Sequence, residues 1–172
     1  MADSTRLANE ELSKQFVDEV FNKGNMAFID EHVAADFVEH SPSPGQEQGV
    51  ESFKKFVAMW REAMPDLKFT VSEVVSEGDL VAIHVTQSGT MQSPALFGPG
   101  AVGKHMEVSG IDLVRIKDGK MTEHWGYYEE AKMFTQLGLM PEMSAPPGGA
   151  APAGDTTGKA MGDTTMKDTT KK

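Results

Sequence analysis

The sequence predicts an α+β fold, with helices from the first part of the chain packed on one face of a curved antiparallel sheet. Three observations predict it. Apolar residues recur every three or four positions as far as Met64. From Leu67 that period falls to two. The alternating half is then punctuated by Glu77-Gly78-Asp79 and Lys117-Asp118-Gly119, which are hairpin turn signals.

Residues 1–7 read as a flexible lead and 8–140 as the folded domain. The first helix starts behind an N-cap at Asn9, carries Leu12, Phe16, Val17, Val20 and Phe21 on one face, and closes at Gly24. A second short helix follows Asn25, with Phe28, Ile29 and Val33 turned inward. Asp36 to His40 is a short strand, ended by Ser41-Pro42-Ser43-Pro44-Gly45. The third helix runs from about Gly49 to Met64, with the stripe Val50, Phe53, Phe56, Val57, Trp60 and Met64, and Pro65 stops it.

Phe69, Val71 and Val74 then alternate with polar neighbours, and Leu80 to Thr86 forms the next strand. A loop rich in Gly and Pro, Pro94 to Gly103, leads to a strand carrying Asp112. The Asp118-Gly119 turn leads to one carrying His124, and Ala131 to Leu137 is a final short helix. After Leu139 the aromatics stop and Pro, Gly, Ala and Thr dominate, so 141–172 reads as a disordered tail with too little to bury.

Composition narrows the function. The chain of 172 residues carries a formal charge of −10, and its tail has four Lys against four Asp and Glu, so the acidic excess belongs to residues 1–140. Nucleic acid is a poor partner for such a surface. Without cysteine there are no disulfides, thiol nucleophiles or thiolate metal sites. No apolar run approaches the roughly 20 residues that span a bilayer, and the N-terminus lacks the pattern of a signal peptide. A cytoplasmic protein with no membrane partner is expected.

The chemistry concentrates in the last hairpin, where Asp112 and His124 lie on neighbouring strands. If Asp118-Gly119 is a two-residue loop, Ile116 pairs with Met121 and Asp112 shares a face with Glu123 and Trp125. If Gly119 is instead a left-handed bulge, Ile116 pairs with Lys120 and Asp112 lies opposite His124, with Gly126 and Tyr128 on the same face. The bulge is favoured because it leaves Ile111, Leu113, Met121 and Trp125 together on the other face. A carboxylate beside an imidazole fixes its tautomer and raises its pKa, as acid/base work requires, although an ordinary cross-strand pair would look the same. His40 could sit at a pocket mouth, and His84 is either a pocket group or a half-exposed strand residue. Phe56, Trp60 and Met64 are core residues that could also wall a cavity. No metal-ligand spacing, phosphate loop or nucleophile motif is present.

Several segments together resemble the SnoaL-like polyketide cyclase (ester cyclase) family of the nuclear transport factor 2-like superfamily. They are Phe37-Val38-Glu39-His40, Met64-Pro65-Asp66-Leu67-Lys68-Phe69-Thr70-Val71, Gly103-Lys104, Ser109 to Ile116, Asp118-Gly119-Lys120, Glu123-His124-Trp125 and Gln136-Leu137-Gly138-Leu139. The resemblance spans roughly residues 8–139. It implies a cone-shaped α+β barrel around an apolar pocket, usually in a homodimer, that closes a ring by intramolecular aldol condensation without metal or cofactor. In such cyclases the proton-moving carboxylate directly follows the His-Trp pair. This chain has Gly126 there.

The expected function is therefore a cofactor-independent enzyme acting on a small apolar carbonyl or polyketide-type compound. Asp112 and His124 would transfer protons, while His40, Phe56, Trp60, Met64, His84, Gly126 and Tyr128 would contact substrate. The alternative, prompted by Gly126, is a non-catalytic module of the same fold that binds a small hydrophobic ligand.

Overall fold

The computed structural model describes residues 3–140, so the tail read as disordered over 141–172 lies outside the described residues. Helix α1 runs from Asp3 to Phe16. It opens with an acidic residue in its first turn and an Arg6–Glu10 ion pair of 2.6 Å one turn along. Residues 3–7 are thus its first turns, not an irregular lead, and Asn9 is a buried helical residue rather than the cap. Apolar periodicity missed these turns because their side chains, Leu7 among them, face outward.

α1 continues into a π-helical stretch, Val17–Asn22, and ends at Gly24, whose φ of 75° suits glycine. There the Asn22 side chain donates to the Phe69 carbonyl at 3.0 Å and accepts the Phe69 N–H at 2.8 Å, fastening the helix end to the sheet. Helix α2 is Met26–His32, and Val33 opens strand β1, Val33–Glu39, instead of closing the helix. Helix α3, Val50–Ala63, lies between Gly49 and Met64 as the stripe predicts.

Strands β2 (Lys68–Glu77), β3 (Leu80–Thr90), β4 (His105–Lys117) and β5 (Lys120–Tyr128) form an antiparallel meander, and α4 (Glu130–Gln136) follows. The sheet order is β1-β5-β4-β3-β2, and the curved sheet does not close. β1 pairs with β5 in parallel, so the sheet is mixed rather than wholly antiparallel. A helix and not a tight turn follows β1, and nothing forces it to run against its neighbour. Val81, Ile83 and Val85 of β3 and Val108, Val114 and Ile116 of β4 point inward onto Phe16, Val20, Phe53 and Val57 of the helices.

The last hairpin differs from the expected bulged turn. Ile116 pairs with Met121, and Asp118 and Gly119, with φ of 50° and 74°, form a two-residue loop. The extra residue sits further along: Arg115 pairs with Glu123, so Thr122 is an unpaired bulge in β5. Beyond it the parity is shifted. Asp112 therefore shares its face with His124, Gly126 and Tyr128 as expected, but it stands directly opposite Gly126, and Val114 opposite His124. Met121 precedes the bulge and joins the core, whereas Trp125 faces outward beside Arg115.

Candidate active site

Four polar side chains meet on the inner face where β1, β5 and β4 lie side by side. His124 is placed between two carboxylates: its Nδ1 is 2.6 Å from Glu39 Oε2 and its Nε2 3.2 Å from Asp112 Oδ1. The Tyr128 hydroxyl donates to both oxygens of Asp112 at 2.9 Å. Asp112 and Glu39 are only 7 % and 5 % exposed. Glu39 lies on the edge strand, where the Gln48 side chain takes the place of another strand. Its Oε1 accepts the Glu39 N–H at 2.9 Å and its Nε2 donates to the Glu39 carbonyl at 2.8 Å. The free Glu39 oxygen, Oε1, accepts the Ser41 N–H at 2.9 Å.

With both ring nitrogens donating to carboxylates, His124 is held as an imidazolium. Burial opposes that charge, but the hydrogen bonds to Asp112 and Glu39 outweigh it and raise the pKa to about 10. Tyr128 is pushed well above its ordinary value by burial, then by the charge and hydrogen bond of Asp112, so it remains a phenol donor. Because the folded His124 holds its proton more tightly than an unfolded histidine, its contribution to stability is complete below about pH 6.5 and is lost as pH rises through about 10. Urea unfolding at pH 6, 8 and 10 should show stability falling by up to about 1.4 kcal/mol per pH unit across that window. His124→Gln should flatten the slope; an unchanged slope in that variant would assign it to another group.

These groups form the polar end of a cavity of about 140 Å³, walled by Phe21, Phe53, Phe56, Trp60 and Phe69, with Ser41, Ser43 and Gln46 along its rim. A smaller void of about 30 Å³, lined by Phe16, Phe37, Ile83 and Met121, lies on the core side of Asp112 and His124. Phe56 packs edge-on against Trp60 at 6.0 Å, and Phe97 continues the row at 5.8 Å. Among the described residues, no group of three or more His, Asp or Glu is arranged to hold a metal ion.

Of the residues singled out from the sequence, Asp112, His124, Phe56, Trp60, Gly126 and Tyr128 line this cavity. Three do not. His40 points to the outer face, stacked on Trp125 at 4.3 Å with its Nε2 2.9 Å from Glu123, because strand alternation sends Glu39 inward and its neighbour outward. His84 shares the outer face of β3 with Ala82 and sits 3.5 Å from Glu73. Met64 is fully buried beneath Gly89, a core residue away from the cavity. Sequence reasoning missed Glu39 and Gln87. Both carry the period-two parity of apolar inward residues, Phe37 for the first and Val81, Ile83 and Val85 for the second.

The family model of the SnoaL-like polyketide cyclases matches residues 11–137. The chain belongs to the SnoaL-like polyketide cyclase family. Among solved structures, TsrD from Streptomyces laurentii is 27% identical, with a TM-score of 0.70 over 78% of this chain and 98% of that one. IdmH from Streptomyces antibioticus, a proposed polyketide cyclase, is 26% identical, with a TM-score of 0.66 over 76% and 98%. An LEH-like epoxide hydrolase from M. tuberculosis, 14% identical with a TM-score of 0.61 over 77% and 91%, shares the fold alone. No curated protein matches. Among the described residues of this SnoaL-like chain, no helix is long and apolar enough to cross a membrane.

Gly126 has a specific neighbourhood in this SnoaL-like site. A Cβ added there would lie 3.5 Å from Asp112 Oδ1 and 3.2 Å from His124 Cε1. Asp112 thus occupies the space beside position 126, reaching it from the opposite strand.

Proposed function

We propose that the protein is a cofactor-independent enzyme that moves a proton on an apolar carbonyl or polyketide-type compound, in a cyclase-like intramolecular aldol or related reaction. The observation that carries it is a buried carboxylate, Asp112, at the polar end of an aromatic-walled cavity. Asp112 Oδ1 is held by His124 and Tyr128, whereas Oδ2, among the described residues, accepts only from Tyr128 and keeps a lone pair for substrate. It would take a proton from the carbon beside a carbonyl, leaving the C–H electron pair as an enolate. The enolate carbon then bonds to a second carbonyl carbon, and the alkoxide formed recovers the proton from Asp112. Glu39 and Tyr128 act through position, the first fixing His124 and the second fixing Asp112.

Exchange of the methyl hydrogens of acetophenone for deuterium in D2O, followed by proton NMR, tests the proton-transfer step. Acceleration above buffer is expected, and none at saturating protein would overturn the enzyme reading. A second reading, a ligand-binding module, draws on Gly126 and on His124 and Tyr128 spending their donors within the site. It requires binding without exchange. In either case Trp60→Ala should weaken ligand retention about tenfold, through roughly 1–2 kcal/mol of lost apolar contact. Equilibrium dialysis checks this. The family resemblance adds a cytoplasmic homodimer to the proposal. Exposed Ile111, Tyr127 and Val75 are available for pairing sheet to sheet, and light scattering would read the mass.

A further inference from the structure

Gln87 lies on the inward face of β3, 6 % exposed, and lines the cavity. Its strand neighbours are Phe69 on β2 and Val108 on β4. Its carboxamide makes no hydrogen bond among the described residues, although Asp112, Glu39 and Tyr128 in the same cavity are all bonded. Its amide atoms are open to the hollow rather than sealed in the core, so water in the hollow can complete them in the free protein. A ligand carbonyl entering the hollow would take the place of that water and accept the same N–H donors.

Charge supplies a second, independent constraint. The lining holds three carboxylates, Glu39, Asp112 and Glu130, against one cation, His124, with no Lys or Arg. A ligand bearing an ionised acid would meet a net negative wall as it left water. Size supplies a third. About 140 Å³ is close to the roughly 150 Å³ hollow that encloses one benzene ring, so one ring seats fully and anything larger extends past Ser41, Ser43 and Gln46.

We infer that Gln87 recognises an uncharged carbonyl group on a ring-bearing ligand, its NH2 donating to the carbonyl oxygen, and that the cavity excludes ionised carboxylic acids. This deepens the proposed function and rests on it for the identity of the reacting group.

Three probes of similar size separate the possibilities: acetophenone, ethylbenzene and benzoate, titrated into the full chain while the Trp60 indole resonance is followed by NMR. Acetophenone should bind best and benzoate at least about tenfold more weakly, from the charge mismatch. In Gln87→Met, ethylbenzene binding should persist, proving the cavity intact, while acetophenone affinity drops about fivefold for the lost hydrogen bond. Gln87→Leu provides the same comparison if the first variant does not fold. Benzoate binding as tightly as acetophenone, or acetophenone affinity unchanged in a variant that holds ethylbenzene, overturns the inference. Acetophenone that binds through Gln87 but exchanges no hydrogen would sink the proton-transfer reading and leave this one standing.

Discussion

Asp112→Asn should lower the rate of proton exchange at least about 100-fold while the melting temperature moves by only a few degrees. The substitution removes one charge and almost no volume. A carboxamide oxygen in the place of Oδ1 still accepts from His124 Nε2 and from the Tyr128 hydroxyl, so only the hydroxyl's second contact, at Oδ2, is lost. Glu39 remains 2.6 Å from His124 Nδ1, so the buried imidazolium keeps one counter-charge. What vanishes is an oxygen that can take a proton. Paired measurements of exchange rate and thermal unfolding decide the matter. Activity and folding falling together would make Asp112 a structural ion-pair partner, and an unchanged rate would move the chemistry elsewhere.

Gly110→Ala should be the more damaging change to the fold. Gly110 pairs with Tyr128 across the β4–β5 ladder, and the tyrosine ring lies over it. An added Cβ would be 2.3 Å from Tyr128 Cδ1 and 2.5 Å from Cε1, against ordinary contact from 3.4 Å upward. The ring must withdraw by about 1 Å in a filled interior, at a cost of about 1–3 kcal/mol. The melting temperature should fall by about 3–10 °C. Withdrawal also breaks the hydroxyl's bonds to Asp112, so exchange should slow as much as it does in Tyr128→Phe, a variant that keeps the ring and most of the stability. Wild-type melting behaviour in Gly110→Ala would show that the ring is not confined as described.

How much of this was legible in the sequence varied with the range of the interaction. α3 was readable almost to the residue, because its stripe, Gly49 and Pro65 are local signals. The first turns of α1 were not, since exposed helical turns held by an ion pair leave no apolar period. In the last hairpin the shared face of Asp112 and His124 was correctly expected from the wrong bulge. Turn type and bulge position both change parity, and the sequence signals only their combined effect on which residues turn inward. Glu39 was hidden for a different reason. A buried carboxylate reads as a surface residue until its partner is known, and that partner is 85 positions away in the chain. The adjacent His40 is the more conspicuous residue type in the sequence, yet alternation turns it outward.

The pairing of Asp112 with Gly126 has a consequence for comparing relatives. Two positions that face each other across a ladder address one small region of space, so a functional group can be handed from one strand to the next while its address is kept. A column-by-column comparison records such a hand-over as a lost side chain at one place and an unrelated substitution at the other. For chains of this fold, inheritance of chemistry is better tracked by coordinates than by columns.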